Sequence, residues 1–160
     1  MHLKSPAETI FYTIESTIKE YRKASQKNLS IEVDDMTIDQ GMILAFLEKY
    51  PEKTQKEIAA MAFKDNASMT RMLDLMEKKK YLKRSINQEN RRRYKIEITA
   101  KGKQVLKTLS PIITENRENA LYGISEEEVI HLETILKKIK SNCTIQASFA
   151  NHQIKKNETH

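Results

Sequence analysis

Residues 54–99 read TQKEIAAMAFKDNASMTRMLDLMEKKKYLKRSINQENRRRYKIEIT, and this stretch decides the fold. It predicts a short helix, a tight turn, a longer helix, and two strands joined by a charged hairpin tip. Residues 77–107 carry twelve Lys or Arg against three Asp or Glu, a local charge of +9 in a chain whose net charge is +6. A basic block inside a helix-turn-helix and hairpin indicates a surface that contacts nucleic-acid phosphates.

The composition predicts one compact domain, or a small domain with an added helical dimerisation part. Only three Gly and three Pro among 160 residues favour long helices and few turns. The single cysteine, Cys143, excludes an intramolecular disulfide and fits a reducing cytosol. No secretory signal is evident, and the longest apolar run, residues 42–47, is far shorter than the ~18–20 residues of a membrane span. We therefore expect a soluble, cytoplasmic protein.

Two helices are predicted ahead of the helix-turn-helix. Residues 7–27 predict the first, because apolar side chains recur at steps of three and four. These side chains are Phe11, Ile14, Ile18 and Tyr21. A polar segment, residues 27–35, then interrupts the pattern. The second helix, about Thr37 to Lys49, is apolar nearly all round and ends before Pro51, so we expect it to lie in the core.

The third and fourth helices are predicted from their capping residues. Thr54 and Glu57 form a capping box that begins a helix of about residues 55–62. Asp65 or Asn66 caps a fourth helix that runs to about Lys79. Its inward face is Met69, Leu73 and Met76, and a different face carries Ala67, Thr70, Arg71, Asp74 and Lys78. Small and polar groups followed by basic ones suit a DNA major groove, although a solvated amphipathic helix has the same pattern.

The predicted hairpin favours the DNA interpretation. Residues 93–98 alternate strictly between charged and apolar side chains, as a half-buried strand does. Leu82, Arg84 and Ile86 supply the antiparallel partner strand. The tip between them, residues 87–92, is polar and ends in two arginines. An arginine-rich hairpin tip directly after a helix-turn-helix is typical of a wing that contacts DNA.

Residues 70–102, TRMLDLMEKKKYLKRSINQENRRRYKIEITAKG, resemble the winged helix of the MarR family of bacterial transcription regulators. The features that carry the resemblance are a Thr-Arg pair in the recognition helix, a basic helix end, an arginine wing and a closing Thr-x-x-Gly. Their counterparts are Thr70-Arg71, residues 76–80, Asn90-Arg91-Arg92 and Thr99 with Gly102. The resemblance implies a mostly α fold with a small β-hairpin wing, a winged helix-turn-helix flanked by N- and C-terminal dimerisation helices. It covers roughly residues 7–140.

Two positions depart from the family pattern. Lys80 stands where the family ends its recognition helix with glycine, so the left-handed C-cap has to be made by a residue with a side chain. Asn90 stands in place of the wing aspartate and cannot form the same charged pair with Arg92, although Glu89 is a possible substitute. The charge of the wing is unaffected by either change.

Two further helices are predicted after the wing. The fifth, about residues 100–122, is capped by Thr99 and continues through Pro111 with a kink. The sixth begins at a capping box, Ser125 with Glu128, and runs to about Lys140. The apolar seams of the first and sixth helices match each other, which fits either ordinary core stripes or a dimer interface. The resemblance implies a homodimer through Phe11, Ile14, Ile18, Leu109, Ile113, Val129, Leu132, Leu136 and Ile139.

The predicted organisation follows from these elements. Residues 1–34 and 100–142 form a helical dimerisation region, residues 35–99 form the DNA-binding region, and residues 143–160 form a frayed tail. Catalytic motifs are absent from the sequence, which has no Gly-rich phosphate loop, His-Glu-x-x-His or Cys-x-x-Cys. We therefore predict no enzyme activity, no metal and no cofactor, and we interpret His131 as a surface histidine and Cys143 as an inert thiol.

The sequence thus predicts a homodimeric, sequence-specific regulator that binds a pseudo-palindromic operator in double-stranded DNA. Ala67, Ser68, Thr70 and Arg71 are expected at base edges and phosphates, and Arg92 in the minor groove. Phosphate contacts are expected from Lys78, Lys83, Arg84, Arg91 and Arg93. The resemblance also implies a small organic effector, often an aromatic acid, and Tyr12, Met42 and Phe46 either line its pocket or are plain core. The rival hypothesis is a winged helix that binds a protein partner and not DNA.

Overall fold

A computed structural model of the protein describes residues 5–86 and 94–157, the side chains of Tyr94 and residues 146–157 excepted. A single 3-10 turn, Pro6–Glu8, precedes the first helix. The helices and strands are α1 (Ile10–Glu32), α2 (Ile38–Lys49), α3 (Gln55–Met61), α4 (Asn66–Lys78), β1 (Leu82–Ile86), β2 (Tyr94–Ile98), α5 (Ala100–Ala120) and α6 (Glu126–Asn157). The predicted fold class, mostly α with a small antiparallel hairpin, is confirmed. The chain divides into two compact units, Met1–Ala120 and Leu121–His160.

Helix α1 is longer than predicted. The sequence predicted an interruption from residue 27, but the helix continues to Glu32 and buries Leu29 in the core. Lys27 is exposed on another side of the same helix, and Asn28 is half-buried and donates a hydrogen bond to Asn116 of α5. Residues 27–32 contain neither Gly nor Pro. The length of α1 has a consequence for the site, because its second half packs beside α2 and α5.

Helix α2 lies at the centre of the core, as predicted. Ile43 and Leu44 are completely buried, and Leu47 is nearly so. Thr37 caps the helix: its hydroxyl accepts a hydrogen bond from the Gln40 backbone, and the Gln40 side chain accepts one in return from the Thr37 backbone. Because α2 is apolar nearly all round, other elements of the first unit pack on several sides of it.

The helix-turn-helix of α3 and α4 begins at the predicted capping boxes. Thr54 and Glu57 exchange hydrogen bonds, and the backbone and hydroxyl of Thr54 lower the pKa of the Glu57 carboxyl to about 2. Asp65 caps α4 by accepting a hydrogen bond from the Ser68 backbone. The predicted inward face of α4 is confirmed, because its three apolar residues are buried. They are Met69, Leu73 and Met76.

Both helices of this motif end on a left-handed residue that is not glycine. After α4, the backbone N–H of Tyr81 donates to the carbonyl of Met76 and that of Lys80 to the carbonyl of Glu77, the paired bonds of a Schellman cap. Lys80 has a φ of 64° and so adopts the left-handed conformation predicted for this position. Phe63 has a φ of 53° at the end of α3, and its side chain is 88% exposed. Left-handed backbone costs such residues about 1 kcal/mol or more.

The hairpin pairs its strands in the predicted antiparallel arrangement. Leu82 lies opposite Ile98, Arg84 opposite Ile96, and Ile86 opposite Tyr94. Leu82 is buried, and Ile96 and Ile98 pack against the core. One face of the hairpin base is therefore fixed to the helices, and the polar residues between these positions point the other way.

Helix α5 meets the base of the hairpin at an unusually close approach. The Thr99 hydroxyl donates to the carbonyl of Lys80 at 2.6 Å and accepts a hydrogen bond from the Gly102 backbone at 3.1 Å. A Cβ added to Gly102 would overlap the carbonyl oxygen of Tyr81 and lie 2.6 Å from Cγ2 of Ile98. Only glycine fits at this position, because the atom in the way belongs to the backbone.

Helix α6, which forms most of the second unit, extends to Asn157. The sequence predicted its end near Lys140 and a frayed tail from residue 143. The extension is understandable, because residues 124–157 contain no Gly or Pro to stop a helix. The predicted capping box is present, with the Ser125 backbone donating to the Glu128 carboxylate at 2.8 Å. Within the described parts of the chain, no helix is both long and apolar enough to cross a membrane.

Replacing Gly102 by alanine tests the junction between α5 and the hairpin. Helix propensity alone predicts that Gly102→Ala stabilises the protein by about 1 kcal/mol. The clash with Tyr81 predicts the opposite sign, a loss of about 2 kcal/mol or more from the free energy of unfolding. Urea denaturation followed by circular dichroism measures the difference.

Gly41→Ala is the matched control, because this glycine also lies in a helix. Its added Cβ would lie 3.1 Å from Cδ1 of Leu109, the end of a flexible side chain, so the change should stay within about 1 kcal/mol. A Gly102→Ala protein as stable as the wild type would show that the close approach does not constrain the fold.

Candidate nucleic-acid interface

The exposed face of α4 places the predicted base-contacting residues together. Ala67, Thr70 and Arg71 are exposed, and Ser68 is half-buried. All four lie in the first two turns of the helix, on the side away from its buried face. The N-terminal end of an α-helix carries partial positive charge and backbone N–H groups without a partner inside the helix, which favours contact with anions.

Two hydroxyls on this face already donate hydrogen bonds within the protein. The Ser68 hydroxyl donates to Asp65 at 2.8 Å, and the Thr70 hydroxyl donates to the carbonyl of Asn66 at 2.8 Å. Thr70 also accepts a hydrogen bond from the Gln55 side chain at 2.9 Å, which ties α3 to α4. Each hydroxyl keeps acceptor capacity, so their best role toward DNA is to accept hydrogen bonds from base amino groups.

Arg84 was predicted to contact a DNA phosphate, but in the structure its side chain is paired with acidic residues of α4. Its guanidinium lies 2.7 Å from the Glu77 carboxylate and 2.5 Å from Asp74, and its backbone N–H donates to Glu77 at 2.8 Å. The side chain is only 17% exposed. The hydrogen bonds from Arg84 lower the pKa of the Glu77 carboxyl below its usual value. Arg84 therefore joins β1 to α4, which argues against the predicted phosphate contact.

The other predicted cations differ in their surroundings. Lys78 is exposed near the end of α4, and Arg71 is exposed near its start. Lys83 is 66% exposed and forms an ion pair with Glu97 across the hairpin, at 3.1 Å. Lys95 shares the same carboxylate at 3.0 Å. The three wing arginines, Arg91, Arg92 and Arg93, lie outside the described residues, and their predicted contacts stay predictions.

Tyr81 holds the end of α4 against the segment between α1 and α2. Its ring is buried, and its hydroxyl donates a hydrogen bond to the Asp35 carboxylate. Burial and this hydrogen bond raise the pKa of the Tyr81 hydroxyl far above its usual value. Lys79 donates to the Asp35 carbonyl, and Lys101 lies over the Tyr81 ring at 4.5 Å. The recognition helix is thus fixed at its C-terminal end as well as along its buried face.

A cavity of about 320 Å³ lies between α1, α2 and α5. Met42 and Phe46 line it, as the predicted effector pocket required, but Tyr12 does not and is half exposed on the first turn of α1. The position of Tyr12 is explained by the length of α1, since the cavity lies along the second half of that helix. The remaining apolar lining includes Leu29, Ile38, Leu109, Ile112 and Ile113.

The sequence analysis missed the polar residues of this cavity. Arg22, Ser25 and Arg117 line it, and the Ser25 hydroxyl is buried without a hydrogen-bond partner in the described structure. A signal for two of them was present. Arg22 and Ser25 follow Ile18 at steps of four and three and lead to Leu29, so they interrupt the apolar face of α1 with polar groups. Buried polar side chains nearly always have a hydrogen-bond partner, so polar residues on a buried helix face indicate a partner to be identified.

The predicted dimer residues fall into two groups. Leu109 is a core residue of the first unit and Ile113 packs against that core, because α5 packs on α1 and α2 of the same chain. The prediction for Leu109 is therefore wrong. The other predicted residues are exposed or half-buried. They are Phe11, Ile14, Ile18, Val129, Leu132, Leu136 and Ile139.

Among the side chains that the structure describes, there is no cluster of three His, Cys, Asp or Glu that could hold a metal ion. His131 lies beside Glu127 and Glu128 on the exposed surface of α6, and Cys143 is an exposed free thiol. Neither residue is part of the winged helix. The functional chemistry of the described chain is therefore concentrated in the charged face of the winged helix and in the cavity beside it.

The winged helix also matches a known family. A sequence model described as MarR family matches residues 36–94, which run from the start of α2 to the start of β2. This segment, which is less than half of the chain, is similar to the MarR family. The described residues form a winged helix-turn-helix.

Solved structures of DNA-binding proteins share the fold over most of their length. A complex of S. aureus MepR with DNA is 23% identical, has a TM-score of 0.76, and aligns with 87% of this chain and 99% of its own. A mutant of E. coli MarR in complex with operator DNA is 20% identical, with a TM-score of 0.77 and coverages of 87% and 99%. Bordetella bronchiseptica BpsR, whose DNA binding is regulated by 6-hydroxynicotinic acid, is 14% identical, with a TM-score of 0.77 and coverages of 87% and 98%.

Substituting Arg84 tests whether it serves the fold. Arg84→Gln removes its charged hydrogen bonds to Glu77 and Asp74, and we expect the free energy of unfolding to fall by about 1–2 kcal/mol. Lys83→Gln is the neighbouring control, because an exposed ion pair contributes at most about 1 kcal/mol. Urea denaturation of both variants measures the difference. Equal stabilities, together with weaker DNA binding by Arg84→Gln, would restore the predicted phosphate contact.

Proposed function

We propose that this protein is a MarR-family regulator, homodimeric and sequence-specific, that binds a pseudo-palindromic operator and responds to a small organic acid. The observation that carries the proposal is the exposed N-terminal face of α4, which is followed in the chain by the block of +9 charge in residues 77–107. A recognition helix of this kind enters the major groove, and the wing reaches the adjacent minor groove. A two-fold symmetric dimer then reads two half-sites about one helical turn apart.

Specificity and affinity come from different residues in this proposal. Arg71 and Thr70 contact base edges, with Ala67 and Ser68 close to the same edges or to phosphates. Lys78 and Lys83 contribute phosphate contacts, and Arg92 contributes the minor-groove contact of the wing with Arg91 and Arg93 beside it. Phosphate contacts fix the register without reading the sequence, whereas a guanidinium in the major groove distinguishes guanine.

Dimerisation is supported by apolar surface that the described chain leaves exposed. Phe11 and Ile18 are more than half exposed on α1, and Leu132 is 53% exposed on α6. Large apolar side chains repeating along one helix face usually mark an interface.

The effector part of the proposal rests on the cavity between α1, α2 and α5. It combines apolar walls with two arginines, the combination that suits a flat organic anion. BpsR, a regulator of the same fold, responds to 6-hydroxynicotinic acid, which supports an aromatic acid as the effector class. The rival function is a winged helix that binds a protein partner, and the charged block does not by itself exclude it.

Salt dependence decides between DNA and a protein partner. A dimer that makes six to ten phosphate contacts should lose roughly 10³–10⁵ in affinity between 50 and 200 mM salt. Fluorescence anisotropy with a duplex selected from random DNA measures this slope. An affinity that does not change with salt would mean that the basic block does not contact DNA, and the protein-partner function would then be favoured.

In the same assay, Arg71→Ala should weaken operator binding by about 1–3 kcal/mol per half-site and relax the base preference at one position of each half-site. Its exposure predicts unchanged stability. Lys137→Ala removes an exposed cation on α6, away from the winged helix in sequence, and should leave operator affinity within twofold. If the two variants bind equally well, Arg71 is not at the DNA surface.

The dimer is tested with charges placed on the α6 seam. Leu132→Asp with Leu136→Asp should convert a dimer into a monomer in light scattering at micromolar concentration, because two buried carboxylates are costly at an apolar interface. Thr134→Asp is the control, since Thr134 is exposed on another side of α6. A wild-type protein that is monomeric under these conditions would contradict the proposed architecture.

A further inference from the structure

Leu75 lies on the exposed side of the recognition helix. Its side chain is 51% exposed, whereas the three apolar residues on the opposite side of α4 are buried. It follows Arg71 by four residues and precedes Lys78 by three, so these three side chains lie along one side of the helix. The sequence analysis left Leu75 out of the DNA face, because that face was identified by its small, polar and basic residues.

The neighbours of Leu75 favour the approach of DNA to this side of α4. Arg71 and Lys78 are exposed cations. Asp74 precedes Leu75 in the chain, and its carboxylate lies 2.5 Å from the Arg84 guanidinium, which offsets its negative charge. The phosphates that these cations attract bring base edges to the same surface, so Leu75 lies where a polyanion is expected to bind.

The backbone that carries Leu75 is held in place. Its carbonyl accepts a hydrogen bond from the Lys79 backbone at 3.0 Å. The next carbonyl, that of Met76, accepts the bond from the Tyr81 backbone that closes the helix end, and the Met76 side chain is fully buried. Because a side chain on a rigid helix keeps its position, Leu75 can contact one base pair and not its neighbours.

A leucine side chain favours one base in the major groove. It has no hydrogen-bonding atoms, so it cannot pair with the donors and acceptors that guanine, adenine and cytosine present there. Placed against those atoms, it would displace their water without replacing the hydrogen bonds, which costs free energy. Thymine presents a 5-methyl group, and burying this group against another apolar group is favourable. The leucine therefore favours thymine over the other three bases.

We propose that Leu75 specifies a thymine in each half-site of the operator by packing against its 5-methyl group. This inference rests on the proposed operator binding and adds the base that one further side chain recognises. The contact differs in kind from that of Arg71, which donates hydrogen bonds to a base edge. Because cytosine methylated at C5 presents the same methyl group, the protein also distinguishes 5-methylcytosine from cytosine at this position.

Deoxyuridine isolates the methyl group, since it pairs with adenine as thymidine does and lacks only that group. The operator is a duplex selected from random DNA by the wild-type protein. Each thymine position is then replaced by deoxyuridine in both half-sites, one position at a time, and fluorescence anisotropy gives the affinity of the full-length protein. At one position we expect the affinity to fall about fourfold per half-site, the effect of losing one buried methyl group, and so roughly 15-fold for both half-sites.

Two variants and a control connect this loss to Leu75. Leu75→Ala should bind the thymine operator more weakly than wild type and should lose less than twofold when deoxyuridine replaces the sensitive thymine. Leu75→Met keeps an apolar side chain of similar size and should retain most of the loss. Leu, Met and Ala are all good helix formers, so both variants should fold, which circular dichroism checks. Ile31→Ala shortens a 74% exposed residue of α1 and should respond to deoxyuridine as wild type does.

A second comparison adds a methyl group instead of removing one. At the sensitive position a C·G pair replaces T·A in both half-sites, and the cytosine is either unmodified or methylated at C5. Wild type should bind the methylated duplex about fourfold more tightly per half-site. Leu75→Ala should bind the two duplexes equally.

Failure of this inference is distinguishable from failure of the proposed function. If wild type binds the selected operator with the expected salt dependence but tolerates deoxyuridine at every position, Leu75 does not recognise a methyl group and the proposed function stands. If Leu75→Ala loses as much affinity as wild type at the sensitive thymine, another residue makes the contact and the inference is wrong. If wild type selects no duplex, the inference and the proposed function are both wrong.

Discussion

The close approach of α5 to the carbonyl of Tyr81 is the constraint on which the winged helix depends. Gly102 permits the approach because it has no side chain. The Thr99 hydroxyl donates to the carbonyls of Lys80 and Tyr81 and accepts a hydrogen bond from the Gly102 backbone in the first turn of α5. Three elements therefore meet at one point: the end of the recognition helix, the base of the hairpin and the start of α5. A shift in any one of them moves the other two, because packed backbone atoms cannot deform gradually.

The parts of the fold that could be predicted from the sequence are those determined within a few residues. The Thr54–Glu57 box and the Asp65 cap are local hydrogen bonds, and the buried face of α4 follows from helical spacing. The end of α1 was missed, since a polar residue such as Asn28 has the same local pattern inside a helix as in a loop. Its partner, Asn116 at 2.6 Å, is 88 residues away in the chain, and no periodicity indicates such a pairing.

For the candidate site as well, the sequence predicted features that depend on local spacing and not contacts between distant residues. Which side of α4 is exposed followed from spacing, but the role of Arg84 did not, because it depends on two carboxylates brought to it by the turn from α4 into β1. The cavity was also beyond the sequence, since its walls come from three helices and its polar end from residues on α1 and α5. Met42 and Phe46 were correctly predicted to line the cavity, because apolar residues on a central helix contact several neighbouring elements. Tyr12 was wrongly predicted to line it, because the sequence does not show which part of α1 lies beside the cavity.

The distribution of charge matters more than its sum. In the described part of the basic block, Arg84 is paired with acids of α4, and Lys83 and Lys95 share Glu97 on the hairpin. These pairs fix strands and helices relative to each other, so they contribute rigidity more than surface potential. Cations such as Arg71 and Lys78 remain exposed on the face of α4. The same principle applies at Asp39, where Arg22 and Lys64 share one carboxylate and so join α1 and the turn before α4 to α2.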